Sequence, residues 1–594
     1  MDLLNKFNNN VENEKTNETS EKEIEINELF KMPIYYNEHK KSIKENIITD
    51  LELVKTVDPS LNSIYYYLFN NSNTFSNKII NQATQYYTTD VDFLKDNQTL
   101  LKTYKNPLIN SYNYDNIIKT WNEIKNDTEC DFKSKYSYID WPIIDFLNNS
   151  ESFLQVMGVY NIVSPVISLC IPILVLIIPF FVIKIQGYDL SVSKYIEILK
   201  TLISNHSIGK LFNEFENIEI SKKIYYIVST IFYIFSMYQN ITSCINFNNN
   251  IQKIHKYFFE IKQYLNYTII SMENYLTYSS SLHTHYNFND ILVEKIKILT
   301  ELKNKISNIT EFNYSFKKLF EIGNILKYFY EIYNNKTYND ALLYSFGFNG
   351  YIDCIEGLIN NIREKKINFA EFINKKKKNI IVNNYYAVLK DKKPIKNNIK
   401  LNKNIIISGP NASGKTTTIK SMLINILFSQ QFGCGFYDSA KIKPYKYIHC
   451  YLNIPDTCAR DSLFQSEARR CKEIIDTIYN NKTDSHLCIF DELYSGTNPE
   501  EAIISSTAFM EYLVKNKNVS CMLTTHFIDV CNKLENNKNI TNYHMDVNKI
   551  NNKIKYNYLF KKGISKIKGG INVLCDMNYP SEIINNTIDI QNKL

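Results

Sequence analysis

The run Gly409-Pro410-Asn411-Ala412-Ser413-Gly414-Lys415-Thr416 places four residues between two glycines and follows them with a lysine and a threonine. Glycines let a backbone curl so that successive N–H groups point at one anion, which is how phosphates are cradled. In such a loop Lys415 reaches the outer phosphates of a nucleotide, and the Thr416 hydroxyl holds Mg²⁺. The flanks suit that chemistry. Asn404–Ser408 is short, apolar and β-branched, as a buried strand is, and Thr417 to Phe428 reads as a helix. Strand, glycine loop and helix N-terminus in that order make an anion site, because the helix dipole adds to the loop N–H groups. The phosphate-binding residues are therefore expected to run from Gly409 through Thr417, with ATP and Mg²⁺ as ligands.

Two further strand ends carry polar side chains of the right kind. His486-Leu-Cys-Ile-Phe490 is apolar and ends in Asp491-Glu492. A carboxylate at such a tip can bind Mg²⁺, which assigns Asp491 to the metal beside Thr416. Glu492 is placed to polarise the attacking water as general base. Val519 to Thr524 reads as a third strand and leads to His526, a candidate sensor of the terminal phosphate. Lys415, Glu492 and His526 are thus the expected catalytic residues.

The elements that must carry these side chains belong to a long chain of 594 residues, enough for two to four domains. A hydrophobic content of 44% supports real cores, and a net charge of +7 is too mild at this length to imply nucleic-acid binding by itself. Twelve cysteines without Cys-x-x-Cys spacing indicate reduced thiols and an intracellular setting. Arginine occurs only at Arg363, Arg460, Arg469 and Arg470.

Residues 1–44 are expected to be a disordered lead-in and 45–160 a helical region. Ile162–Ile183 is uncharged and almost wholly apolar, and its roughly 22 residues match the length of a bilayer-spanning helix. Ile224–Ile245 is a second uncharged stretch, so residues 161–250 are expected to form a membrane hairpin, although Pro165, Pro172 and Pro179 leave a re-entrant segment open. Both soluble parts would then lie on one side, and ATP makes that side cytoplasmic. Residues 251–378 read as a helical lever ending in the basic run Lys375–Lys378, and 379–594 as the nucleotide domain.

Several local segments resemble the MutS DNA mismatch-repair family in that family's order. They are the phosphate loop, Gln431-Phe-Gly433-Cys434, Ser462-Leu-Phe464-Gln-Ser-Glu467, Asp491-Glu-Leu-Tyr-Ser-Gly496-Thr497, Thr524-Thr-His526-Phe, and the tail Gly563 to Pro580. Asp50 to Phe75 is fainter but similar to the start of the family's helical core. Membrane transporters of the wider ABC superfamily set a Gly-rich signature just before the Asp-Glu strand, and this chain has none there. The resemblance implies a mixed fold, mainly a helical core and lever with the expected membrane hairpin, followed by an α/β phosphate-loop ATPase domain of ABC type. It implies Gln431 and Ser462 as nucleotide-site residues, Ser462 reaching the γ-phosphate of the partner subunit. It further implies a homodimer or related heterodimer that binds DNA in mismatch repair or recombination. The arginines around Ser462 fit a need for bidentate charge there.

The chain departs from that pattern in two ways. Only about fifty residues precede the core-like segment, too few for a mismatch-reading domain, and Phe369-Ala-Glu371 has the form of the family's mismatch-reading triplet in the wrong place. The apolar stretches motivate a competing expectation, a membrane-anchored mechanical ATPase of ABC type without a DNA role.

Overall fold

The computed structural model describes residues 26–107, 112–187, 191–205, 220–373, 379–452, 462–550, 553–565, 574–575, 577 and 579–593. Two compact units emerge. One draws on Met1–Ile109, Ser271–Ile296 and Leu343–Leu594, the other on Asn110–Ile270 and Lys297–Leu342. The expected boundaries at 45, 161, 251 and 379 do not coincide with these units.

The first unit is mixed α/β. Its strands are β1 (Lys40–Ser42), β2 (Tyr86–Thr88), β3 (Asn368–Phe372), β4 (Ile380–Asn384), β5 (Asn397–Lys400), β6 (Asn404–Ser408), β7 (Cys434–Gly435), β8 (Ser439–Ile442), β9 (Tyr447–Tyr451), β10 (His486–Asp491), β11 (Val519–Thr525), β12 (Ile540–Ile550) and β13 (Lys553–Lys562). The main sheet runs β13-β12-β6-β11-β10-β9, parallel throughout except for the antiparallel β12–β13 pair. Its central strands are apolar on both faces because both faces are covered. All five residues of β6 are buried, as are the first five of β10. Ile406, Cys488, Phe490 and Leu523 pack there with Met510 and Leu513 of the helix Pro499–Leu513. A second sheet runs β5-β4-β8-β3-β7. Phe369-Ala-Glu371 lies within its strand β3, so the nucleotide unit takes in residues before 379 and the triplet is a strand of that sheet. Lys375–Lys378 fall outside the described residues.

The same unit corrects the expected lead-in. From Ile26 onward the chain is packed: Phe30, Met32 and Ile34 are buried, Phe30 meets the rings of Phe288 and Tyr344, and β1 pairs with β2. A few large apolar side chains in a polar stretch suffice to anchor it. Further on, Asn73 and Asp90 cap the helices Thr74–Ala83 and Val91–Thr103, each accepting from first-turn N–H groups.

His285 gives this unit a pH signature. It is buried with its ring stacked on Phe93 at 5.4 Å, and burial pushes its pKa down to about 4, against a smaller opposing pull from Asp96. The unfolded value is about 6.5. The folded chain therefore binds fewer protons between these values, so the contribution is complete above about pH 6.5 and is lost as pH falls toward 4. At roughly 1.4 kcal/mol per unit, the loss approaches 3 kcal/mol at the acid end. Melting temperatures recorded from neutral pH down to about 4 should fall for the native chain. The slope should be shallower in His285→Gln, and an unchanged slope would remove His285 from the account.

The second unit is helical. Phe132 stacks on Tyr333 with centroids 3.7 Å apart and packs against Phe329, forming an aromatic core. Its long helix Glu151–Ile185 is capped by Ser150 and runs through Pro165, Pro172 and Pro179 without a break. The helix Ile220–Ser279 lies beside it, with Asn240 Nδ2 donating to Ser168 Oγ at 2.9 Å and Cys244 Sγ 3.2 Å from the Ile162 carbonyl. Among the described residues one stretch, Glu151–Cys170, is long and apolar enough to cross a bilayer, and only 11% of it is buried. The expected pair of spans is thereby reduced to one apolar helix. Ile224–Ile245 lacks charge but is interrupted by Ser229, Thr230, Gln239, Asn240, Thr242 and Ser243.

Candidate functional site

The loop between β6 and the helix Lys415–Phe432 has the backbone that its glycines allow. Gly409 and Gly414 take positive φ of 155° and 92°, and Ala412 joins them at 62°. Gly414 is the N-cap of the helix, so the free N–H groups of the first turn open onto the loop. Ser413 Oγ is buried there and has no hydrogen-bond partner among the described residues. A curled loop, open helix N–H groups and an orphaned hydroxyl fit a bound phosphate.

Lys415 is 5% exposed, and its Nζ donates to the Gly409 carbonyl at 2.9 Å and the Pro410 carbonyl at 3.3 Å. Glu492 Oε1 stands 3.7 Å from that nitrogen. Burial lowers the Lys415 pKa, and the carboxylates of Glu492 and Asp491 oppose the shift. Thr416 Oγ1 donates to Asp491 Oδ2 at 2.8 Å, and Thr524 Oγ1 donates to Asp491 Oδ1. Burial pushes the Asp491 carboxyl up, partly offset by these two hydroxyls. The Thr416–Asp491 pair offers hard oxygen donors, and Mg²⁺ characteristically takes one or two such groups together with substrate phosphates.

Glu492 begins the turn after β10, at φ +49°, and Tyr494 follows at +59°. Such conformations cost non-glycine residues on the order of 1–3 kcal/mol each and persist only where surroundings impose them. His526 Nδ1 lies 3.5 Å from Glu492 Oε1. That contact, with Lys415, holds the Glu492 carboxyl below its ordinary range despite burial, so it stays ionised. β11 and β10 are adjacent and parallel, with Asp491 opposite Thr524, which brings His526 to the same sheet edge. Lys415, Thr416, Asp491, Glu492 and His526 thus converge.

Asn411 to Thr417 line an open cleft of about 770 Å³, within the roughly 300–1,000 Å³ of small-molecule sites. Its lining also includes Tyr386, Leu389, Pro394, Ile395, Met545 and Tyr558, the last two packed close to the loop glycines. This lining is hard to read from the sequence, because Met545 and Tyr558 arrive on the β12–β13 hairpin, far downstream of the loop.

Residues 405–594 match the sequence profile of MutS domain V. Over that segment the chain is similar to MutS proteins. It is 29% identical over 212 residues to the DNA mismatch repair protein MutS of Persephonella marina, covering 35% of this chain and 24% of that protein. It is 29% identical over 216 residues to mouse MutS protein homolog 4, covering 34% and 22%, and 31% identical over 189 residues to the human protein of that name, covering 30% and 19%. The matched region is therefore less than a quarter of each of these relatives.

Two residues implied by the MutS resemblance fare differently. Ser462 is the N-cap of the helix Leu463–Asn480, its side chain and that of Gln465 forming a capping box. Arg470 pairs with Glu473 at 3.4 Å on that helix, whereas Arg460 lies outside the described residues. Gln431 is not at the phosphate loop. It sits near the opposite end of the phosphate-loop helix, buried, accepting from Tyr65 OH at 2.8 Å and donating to the carbonyls of Ala83 and Tyr86 at 2.5 and 2.8 Å. These bonds tie the segment 64–88 to the helix Lys415–Phe432. Gln431→Leu strands buried polar partners and should destabilise the fold by about 1–3 kcal/mol. Nucleotide affinity measured on the folded fraction should not change, and a loss of affinity without loss of stability would return Gln431 to the site.

Proposed function

We propose that this chain is a dimeric, Mg²⁺-dependent ATPase of MutS type that engages DNA in repair or recombination. The observation that carries the reading is the convergence of Lys415, Thr416, Asp491, Glu492 and His526 on one phosphate loop. In this reading the loop N–H groups and Lys415 hold the β- and γ-phosphates, while Thr416 and Asp491 hold Mg²⁺. The metal, when bound, neutralises phosphate charge. Glu492 takes a proton from the water that attacks the γ-phosphorus, the bond to the departing ADP oxygen breaks, and His526 steadies the Glu492 carboxylate. The aromatic and aliphatic lining of the cleft suits the flat face of adenine. Ser462, exposed at a helix start, serves the partner's γ-phosphate across a homodimer or a related heterodimer.

The DNA role rests on the names of the relatives. It predicts that ATP turnover responds to homoduplex, mismatched or branched DNA and that the chain is retained by DNA at low salt. No change in turnover and no retention would sink that part of the proposal while leaving the ATPase intact.

One observation supports a membrane-tethered reading beside it. Val166, Leu169, Ile178, Ile231 and Phe232 are each more than half exposed on the paired helices. An apolar face of that kind suits a lipid surface, with the ATPase on the cytoplasmic side. The chain should then stay with membranes through a carbonate wash, and full release would end this reading.

A further inference from the structure

The turn that bears Glu492 is not held by its own strand alone. Glu467, on the helix that Ser462 caps, is 2% exposed. Its Oε1 accepts from Ser495 N at 3.1 Å and Ser495 Oγ at 3.0 Å, and its Oε2 accepts from Gly496 N at 3.2 Å. One buried carboxylate therefore binds the two residues that end the turn.

The contact is close as well as polar. A Cβ on Gly496 would stand 2.7 Å from Leu463 Cγ and 2.8 Å from Phe464 N, the first residues after Ser462. Gly496 is needed for that approach, not for its φ. Phe464 and Tyr494 bring their rings to 5.6 Å, and Tyr451 OH accepts from Tyr494 N at 3.4 Å. On the other side, Ser506 Oγ donates to the Leu493 carbonyl at 3.1 Å, and Glu492 N donates to the Thr524 carbonyl at 3.0 Å. The positive φ of Glu492 and Tyr494 is imposed by this clasp.

We infer that Glu467 is a positioning residue that locks the Glu492 turn to the Ser462-bearing helix start, so that the two move as one body. This rests on the ATPase reading above and deepens it. If Ser462 meets a nucleotide across the dimer, a shift of that helix start is transmitted by Glu467 to the general base of its own chain. Docking at one site then sets the competence of the other.

The test uses the full chain with Glu467→Gln and, from the opposite side of the contact, Gly496→Ala. Glu467→Gln turns one acceptor into a donor facing Gly496 N, and Gly496→Ala pushes the turn off Leu463 and Phe464. Each should lower kcat for ATP about tenfold or more, while Mg-ATP affinity stays within about threefold because the phosphate loop is untouched. Amide hydrogen exchange at residues 492–497 should rise in both, and exchange in the loop 409–416 should not. Unchanged kcat and unchanged exchange would overturn the inference, as would a parallel fall in kcat, affinity and melting temperature. If the native chain hydrolyses no ATP, the ATPase reading fails, and the exchange pattern still decides whether Glu467 holds the turn.

Discussion

Replacing Glu492 with Gln is expected to cut ATP turnover by about 10²–10⁴-fold, the range that a positioned general base contributes, while Mg-ATP remains bound. In the proposed mechanism Glu492 is the carboxylate that activates the attacking water. His526 and Lys415 keep it charged, and the amide of Gln fills the same space without accepting a proton. The variant should accumulate ATP-bound dimers, visible as a nucleotide-dependent rise in mass in solution. Turnover within twofold of the native chain would show that another group is the base. His526→Ala should have a smaller effect in the same direction, because it steadies the carboxylate without being the proton acceptor.

Replacing Lys415 with Ala is expected to have the second large effect, and it should fall on binding. The Lys415 ammonium lies over the loop, held by the carbonyls of Gly409 and Pro410. Hydrogen bonds to charged groups contribute about 1.5–3 kcal/mol each, so losing the phosphate contacts of Lys415 should weaken Mg-ATP affinity by about 10- to 100-fold. Equilibrium titration with a fluorescent ATP analogue measures it directly. Because Lys415 is also the cation beside Glu492, the variant should lose turnover beyond what saturating ATP restores. An affinity equal to that of the native chain would take Lys415 out of the phosphate site.

The candidate site is legible in the sequence because its parts are local and punctuated. β6 runs over Asn404–Ser408 as expected, the helix expected over Thr417 to Phe428 runs Lys415–Phe432, and β10 delivers Asp491 and Glu492 at its tip. Each signal is a short apolar run ending in a residue whose chemistry is unusual there. What the sequence conceals is whatever depends on contacts between distant segments. Gln431 sits in a family-like segment, yet its role is set by Tyr65, Ala83 and Tyr86, more than three hundred residues away. The cleft wall formed by Tyr386, Met545 and Tyr558 is assembled from two ends of the domain, and no periodicity joins them. Glu467 closes the family-like segment that begins at Ser462, yet nothing in the sequence indicates that Ser495 and Gly496 donate to it.

The membrane expectation shows a different failure. Uncharged length alone suggests two spans, at Ile162–Ile183 and at Ile224–Ile245. The second stretch carries enough hydroxyl and amide side chains to differ from the first, and one of them, Asn240, faces Ser168. Absence of charge alone does not distinguish a bilayer helix from a helix with a partner. Likewise, average polarity suggests disorder to residue 44, whereas Phe30, Met32 and Ile34 anchor the chain from Ile26 onward.

The central claim is that the phosphate loop, Thr416, Asp491 and Glu492 form one Mg²⁺-dependent ATP-hydrolysing site. It is tested most directly by following phosphate release from ATP by the purified full chain, with Mg²⁺ and with excess chelator, beside Asp491→Asn. The account predicts steady release with Mg²⁺, none with chelator, and a loss of at least about 10²-fold in the variant, comparable to removing one preorganised stabilising group. Release that persists in chelator, or that is equal in native chain and Asp491→Asn, would contradict it.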